Sequence, residues 1–354
     1  MTNTATSAAT PAASEAARDS ASTDDSARAE ARLAFARSAL GDANATLERA
    51  SVDAGFRSYW RTSGEPTRIV MDAPPGKEDV RPWLAIRDLL EHGGVRVPRV
   101  LAREVDAGFL LLEDLGTQTL LQVIDESNAT AWFDAALDQL LPLQKIAPPA
   151  AFPRYDEALL TRELKLFDDW LLGTHLGHPL DCALTDPLEL VYRRLMDAIL
   201  AQPTVLVHRD FMPRNLMPLR DGGLAVLDFQ DAVVGPISYD VLSLFKDAFH
   251  GWPQDLVDWG VARYHERATR AGLPVPGLTD FRRDVDLIGV QRHLKVLGIF
   301  ARLNHRDGKP KYLADAPRFV RYLLDVIPKH RMLQPLQAVI EERVLPPIGA
   351  LPPR

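Results

Sequence analysis

A single cysteine, Cys182, stands in a chain of 354 residues, so no internal disulfide can form and a reducing cytoplasm fits. No apolar run approaches the roughly 20 residues needed to span a bilayer, and no membrane association is expected. Positive charge is also in deficit. The net charge of −7 argues against nucleic acid as a partner, because phosphate-backbone binding needs a basic surface. The first 28 residues contain no large apolar side chain after Met1 and are mostly Ala, Ser, Thr and Asp. Such a segment cannot bury enough surface to offset its ordering entropy, so a disordered tail is expected over residues 1–28. It lacks the basic start and apolar core of a secretory signal. Glu15, Asp19, Asp24 and Asp25 count against a transit peptide.

The remainder has the balance of a globular protein, 46% hydrophobic and 25% charged, with length enough for two lobes. Its most informative stretch is VLVHRDFMPRNLMPLRDGGLAVLDFQ, residues 205–230. The pattern predicts an apolar strand, a loop carrying His208-Arg209-Asp210 and Asn215, a hairpin turning at Arg220-Asp221-Gly222-Gly223, and a second strand ending in Asp228-Phe229-Gln230. An Asp or Asn in such a loop is ordinarily a turn residue. Here the Asp210-to-Asn215 spacing, the Asp228-Phe229 pair and the flanking Val and Leu runs coincide. Together they form the catalytic and metal-binding signature of the protein-kinase fold. Phosphoryl transfer asks for one carboxylate to accept the proton of the attacking hydroxyl, Asp210. It also asks for an amide and a second carboxylate, Asn215 and Asp228, to hold Mg²⁺ on ATP.

Upstream, Leu33, Phe35, Ala36 and Leu40 give a helical stripe ended by Gly41. An aromatic strand near Asp53–Arg61 and a second strand, Thr67–Asp72, then flank a turn at Gly64-Glu65-Pro66. This is the pattern of a phosphate-covering hairpin. Gly55, Phe56 and Ser58 are the candidate nucleotide residues there, with Gly55 letting the backbone approach phosphates. A helix is predicted over 77–92, then strands near Arg99–Glu104 and Gly108–Glu113. Glu113 and Leu115 are placed at the hinge that reads the adenine edge. The kinase fold carries a lysine on the strand corresponding to Thr67–Asp72. Val70, Met71 and Asp72 stand there instead. Arg57, Arg61 or Lys77 could reach the phosphates, Mg²⁺ could carry more of the charge, or the chain could be a catalytically dead relative.

From about Gln118 the pattern is mainly helical. Glu163, Phe167 and Trp170 share a helix face, either as core with Glu163 at its rim or as an acid and aromatics that hold a sugar. Only a short stretch separates Asp228 from Asp240, without the long activation loop and Ala-Pro-Glu element of protein kinases. A small-molecule acceptor follows from that brevity. Asp240 is expected to cap its helix or support the catalytic loop. In residues 289–313, Arg292, Lys295 and Arg302 lie off an apolar stripe. They suit either a solvated face or recognition of an anionic substrate group. Glu163, Arg214 and Asp231 are the candidate acceptor-site residues.

On these residues the chain, over roughly 30–330, resembles the aminoglycoside phosphotransferase and choline kinase branch of the kinase fold. VHRDFMPRN, VLDFQDA and GPISYDVLSL carry the likeness. MDAPPGKEDVRPW, FLLLEDLG, TRELKLFDDW and QRHLKVLGIFARLNHRDGKPKYL look like the bacterial anomeric sugar kinases of cell-wall recycling. The resemblance implies an α+β, bilobal fold. Residues 29–115 would form a small antiparallel-sheet lobe and residues 116–354 a larger, mainly helical lobe. It further implies ATP and Mg²⁺ as cofactors, Asp210 as base, and the C1 hydroxyl of N-acetylmuramate or N-acetylglucosamine as acceptor, with no obligate protein partner. Aminoglycoside kinase, choline-type kinase and a non-catalytic nucleotide-sensing module are the competing readings.

Overall fold

The structure, a computed structural model, describes residues 11–52, 56–246 and 249–351. Two compact units divide the chain. One comprises Met1–Ala85 with Pro98–Leu115, the other Ile86–Val97 with Gly116–Arg354. The architecture is the α+β arrangement expected, an antiparallel sheet in the first unit and a helical majority in the second.

In the first unit, helix α1 (Pro11–Leu40) precedes strands β1 (Leu47–Val52), β2 (Ser58–Thr62) and β3 (Arg68–Asp72). After helix α2 (Val80–His92), whose residues beyond Ala85 belong to the second unit, come β4 (Val100–Glu104) and β5 (Phe109–Glu113). All five strands form one antiparallel sheet in the order β1-β2-β3-β5-β4. Pairing of Trp60 with Val70, and of Val70 with Leu111, places these side chains on one face. Phe35 and Ala36 of α1 pack on that face with Phe109. Ser58, Asp72 and Phe109 continue the same row.

Asp72 fastens the helix to the sheet. Arg28 Nη2 donates to its Oδ1 at 2.7 Å and Arg32 Nη1 to its Oδ2 at 2.8 Å. Each guanidinium also lies over an aromatic ring, Arg28 at 3.9 Å from the centre of Phe109 and Arg32 at 3.6 Å from that of Trp60. With two cations as partners, a carboxylate only 2% exposed is compensated. Of the tail expected over 1–28, residues 1–10 lie outside the described residues, and the backbone from Pro11 belongs to α1.

Two elements differ from expectation here. Strand β1 is hidden in the sequence because its register shifts between Arg49 and Ser51, which breaks the alternation. Helix α2 begins at Val80 rather than 77, since Lys77 and Glu78 both donate their N–H to the Pro74 carbonyl in a preceding turn.

The second unit contains α3 (Ala129–Lys145), α4 (Glu157–Leu166) and α5 (Cys182–Leu200), with α4 continuing as a π-helical segment over Phe167–His175. Strands β6 (Thr204–Val207), β7 (Leu216–Pro218), β8 (Leu224–Val226) and β9 (Val233–Pro236) follow, then α6 (Tyr239–Phe245), α7 (Gln254–Arg270), α8 (Leu278–His305) and α9 (Ala316–Val326). The strands make two antiparallel pairs, β6 with β9 and β7 with β8.

Helix α8 is the axis of this unit, buried on nearly every side from Phe281 to Ala301. A Cβ on Gly298 would lie 2.3 Å from the Leu166 carbonyl carbon and oxygen and 2.6 Å from the Phe167 nitrogen. Backbone therefore meets backbone where α8 crosses the end of α4. Gly298→Ala is expected to push the helices apart, costing about 1–3 kcal/mol as overpacking does. The polar residues one and two turns earlier on α8 would move with it, so a thermal melt and an activity assay should fall together.

Candidate active site

The loop 208–215 is built by the two strand pairs around it. Strand β6 delivers His208, β7 leaves from Asn215, and β9 returns along β6 with Val233 opposite Val207. That return, not anticipated as a strand, places Asp240 behind the loop. Its Oδ2 accepts the His208 N–H at 2.7 Å and its Oδ1 the Arg209 N–H at 3.0 Å. Asp240 therefore supports the loop 208–215, while the α6 N-cap is Ser238. Burial pushes the Asp240 carboxyl up to about 6, against the pull of His208 and the two amides. His208 Nε2 meets the Leu227 carbonyl at 2.8 Å, which makes Nε2 the protonated nitrogen. Nδ1 is left to accept the Asp210 N–H at 3.3 Å.

Among the described residues, only Arg209 (φ 76°) and Asp228 (φ 61°) are non-glycine residues in the left-handed region. Such conformations cost about 1–3 kcal/mol each and persist where surrounding bonds over-determine them. For Arg209 those bonds are the amide to Asp240 and the guanidinium to Glu163 at 2.8 Å. The second strand ends earlier than predicted, before Asp228. β8 stops at Val226, and Leu227 donates instead to the Asn215 carbonyl at 2.8 Å.

Asp210, Asn215 and Asp228 converge as their spacing predicts. Asn215 Nδ2 donates to the Asp210 carbonyl at 2.9 Å and lies 3.4 Å from Asp228 Oδ2. Asp228 Oδ1 accepts from Gln230 at 2.8 Å. With its amide nitrogen committed, Asn215 has its carbonyl oxygen to offer a cation, beside the Asp228 carboxylate. Two hard oxygen donors fit Mg²⁺, which keeps several waters and takes further oxygens from phosphate.

Behind Asp210 lies a buried ionic cluster. Glu163 on α4 accepts from Lys295 at 2.6 Å, Arg209 at 2.8 Å, Gln291 at 3.0 Å and the Tyr155 hydroxyl. Burial pushes this carboxyl up, but the Lys295 and Arg209 charges outweigh it and hold it at about 2, below the ordinary 4.5. Arg292 donates to the Arg209 carbonyl and the Tyr239 hydroxyl, both at 2.9 Å, and reaches Asp210 Oδ1 at 3.3 Å. What burial adds to the Asp210 carboxyl is likewise outweighed, by Arg292 and then Lys295, so it lies below the usual carboxylate range.

These contacts revise two sequence readings. Glu163 was a candidate for sugar hydroxyls, but protein donors occupy both its oxygens and it braces the loop 208–215 through Arg209. Arg292 and Lys295 are not on a solvated face; they are 5% and 9% exposed. Charged side chains on a helix buried nearly all round are costly unless paired. The run Gln291-Arg292 with Lys295 on such a helix was the available signal. Tyr155 and Tyr239 gave none.

The remaining candidates are separate. Arg214 is exposed, its guanidinium 4.7 Å from the centre of the Phe249 ring. Asp231 is exposed too, its carbonyl accepting from Arg209 at 3.4 Å. In the first unit Gly55 lies outside the described residues. Phe56 is 62% exposed. The Ser58 hydroxyl accepts the Trp60 indole N–H at 2.8 Å on the face that carries Asp72. Glu113 closes β5, its N–H donating to the Arg99 carbonyl at 3.0 Å, and Leu115 is half-buried just beyond. Of the cations considered in place of the strand lysine, Arg61 is bound to Asp114 at 2.5 Å and Arg57 to Glu78 at 3.3 Å. Lys77 is exposed, 5.8 Å from the centre of the Phe56 ring.

A proton-accepting carboxylate, a hard-oxygen pair beside it and a rigidly braced loop are the parts of a phosphoryl-transfer site on a kinase-like scaffold. The chain belongs to the phosphotransferase enzyme family, whose model matches residues 46–276, and it is an ATP-dependent kinase. It is 52% identical over 281 residues to the N-acetylmuramate/N-acetylglucosamine kinase of Pseudomonas aeruginosa, covering 79% of this chain and 83% of that protein. To the enzyme of the same name from Neisseria meningitidis it is 44% identical over 305 residues, covering 84% and 90%. Among solved structures, the choline kinase LicA from Streptococcus pneumoniae superposes with a TM-score of 0.57 at 16% identity, covering 79% of this chain and 93% of that one. The ADP-bound aminoglycoside phosphotransferase APH(2'')-Ib gives 0.56 at 15% identity, covering 82% and 96%. These two likenesses establish the fold.

The ionic cluster makes a testable demand. Glu163→Gln would leave Lys295 and Arg209 buried without their counter-charge, at a cost of about 3–5 kcal/mol, readable as a lower urea midpoint. Because the native Glu163 carboxyl sits at about 2 rather than 4.5, its contribution is complete above about pH 4.5 and is lost as pH falls toward 2. The parent protein should show that loss on acidification, and the variant should lack this part of it.

Proposed function

We propose that this kinase transfers the γ-phosphoryl group of ATP to the anomeric hydroxyl of N-acetylmuramate and N-acetylglucosamine, giving a sugar 1-phosphate in the cytoplasmic recycling of peptidoglycan. The observation that carries this reading is the identity of 44–52% to enzymes named for those two sugars, together with the Asp210, Asn215 and Asp228 constellation. No helix among the described residues is long and apolar enough to cross a membrane, which accords with a cytoplasmic substrate pool.

In this mechanism Asp210 accepts the proton of the C1 hydroxyl as its oxygen attacks the γ-phosphorus in line. Asn215 and Asp228 would hold Mg²⁺, which when bound neutralises charge on the phosphate oxygens. Asp240 and His208 keep the loop in the one backbone arrangement that points the Asp210 carboxylate outward. An anomeric hydroxyl is more acidic than an ordinary sugar alcohol, since the ring oxygen withdraws charge. Positioning then carries much of the acceleration. The segment from Gly55 to Ser58 is assigned to the phosphates and Glu113 with Leu115 to the adenine. Lys77 is the cation most open to the phosphates, because Arg57 and Arg61 have carboxylate partners. Arg214 and Asp231, exposed on either side of the metal-binding pair in sequence, are assigned to the acceptor.

Asp210→Ala is expected to abolish ADP release while leaving ATP affinity nearly unchanged; turnover at the parent rate would remove Asp210 from the role of base. Asp228→Ala should weaken nucleotide binding only when Mg²⁺ is present, as titration calorimetry with and without the metal would register. A panel of N-acetylmuramate, N-acetylglucosamine, 1-deoxy analogues, an aminoglycoside and choline tests the acceptor. Turnover of the first two alone is the expected pattern.

A further inference from the structure

Helix α8 sends one side chain directly to the proposed base. Arg292 makes three bonds. Nη1 donates to the Arg209 carbonyl and the Tyr239 hydroxyl, and Nη2 donates to Asp210 Oδ1. A planar guanidinium is a rigid fork, so these acceptors fix one another through it. The Arg209 carbonyl belongs to the peptide that leads into Asp210, and Arg209 holds the left-handed conformation at φ 76°. One buried group thus grips both the backbone that aims the base and one oxygen of the base itself. The two ends of the pair differ in exposure: the Arg292 side chain is 6% exposed, the Asp210 side chain 44%. The cation stands behind and the carboxylate faces outward.

We propose that Arg292 is a positioning residue for phosphoryl transfer, holding Oδ1 of Asp210 so that Oδ2 is the oxygen presented to the acceptor. Oδ2 then takes the hydroxyl proton while the acceptor oxygen forms its bond to the γ-phosphorus. The bond from that phosphorus to the β–γ bridging oxygen breaks, and ADP departs with its electrons. Tyr239 stops the guanidinium from rotating, and Lys295, 3.3 Å from the same hydroxyl, holds Tyr239 in turn. Gly298, one turn beyond Lys295, sets the depth at which α8 carries both cations. The inference rests on Asp210 being the base.

The test compares Arg292→Ala and Arg292→Lys with Asp210→Ala in the full-length protein, by steady-state kinetics, ADP binding and thermal melting. Displacing a reacting group by about 1 Å costs on the order of 100-fold in rate. A kcat loss of that order is expected for Arg292→Ala, with KM for ATP and for N-acetylglucosamine, and ADP affinity, within about threefold of the parent. Guanidinium ion added at millimolar concentration should restore part of the kcat of Arg292→Ala and none of that of Asp210→Ala. Arg292→Lys keeps the charge but cannot span all three acceptors, so it should fold normally and still lose about tenfold in kcat. This second variant decides the matter if Arg292→Ala does not fold. Parent-level kcat in Arg292→Lys, a loss confined to KM, or a folded Arg292→Ala that guanidinium does not rescue would each overturn the proposal. Full turnover by Asp210→Ala would instead overturn the assignment of the base.

Discussion

The second unit depends on one contact between buried charges. Glu163 sits among Lys295, Arg209, Gln291 and Tyr155, joining α4, α8 and the loop 208–215 through a single carboxylate. Charges this deep are tolerated only in company, and each partner here would be costly alone. The arrangement exchanges stability for definition. An apolar substitute of similar volume could fill the space, but it would not hold Arg209 in a left-handed conformation or bring Arg292 to Asp210. The rigidity of the loop is thus inherited from electrostatics one layer behind it, and the Asp210 carboxylate contributes little to its own placement.

The first unit uses charge in the opposite sense. Asp72 stands on the strand where kinase-like enzymes carry a lysine, yet its row of neighbours faces α1 and its partners are Arg28 and Arg32. The acid is therefore no inverted counterpart of that lysine. It anchors a helix over a sheet face, and the stacked guanidinium groups over Phe109 and Trp60 extend the same attachment. The only cation on β3 is Arg68 at its start, and the turn holding Lys77 follows that strand directly.

How far the sequence reveals this depends on whether a residue's role is local. His208 to Asn215 and Asp228 were legible because loop chemistry, spacing and flanking strands lie within one short stretch. The sheet of the first unit was legible through the aromatic residues of β2 and the Val, Ile and Leu of its other strands, except for β1, where a register shift erased the alternation. Arg292 and Lys295 were legible as cations but not as partners, since their acceptors lie 82 and 132 residues away. Helical periodicity reports which face is apolar and is silent where a helix is buried on nearly every side, as α8 is between Asp284 and Ala301. Glu163 misled for a related reason. A carboxylate beside aromatics has the same sequence pattern whether it binds a sugar or a lysine.

Strand β9 has one further consequence. The chain leaving Asp228 turns at once into a strand hydrogen-bonded to β6, and the residues from Gly235 through Lys246 are buried. Protein kinases keep a long mobile stretch here and are switched on and off by moving it. This enzyme has no slack at that point to move. In this part of the molecule the segment that protein kinases move is packed into the fold.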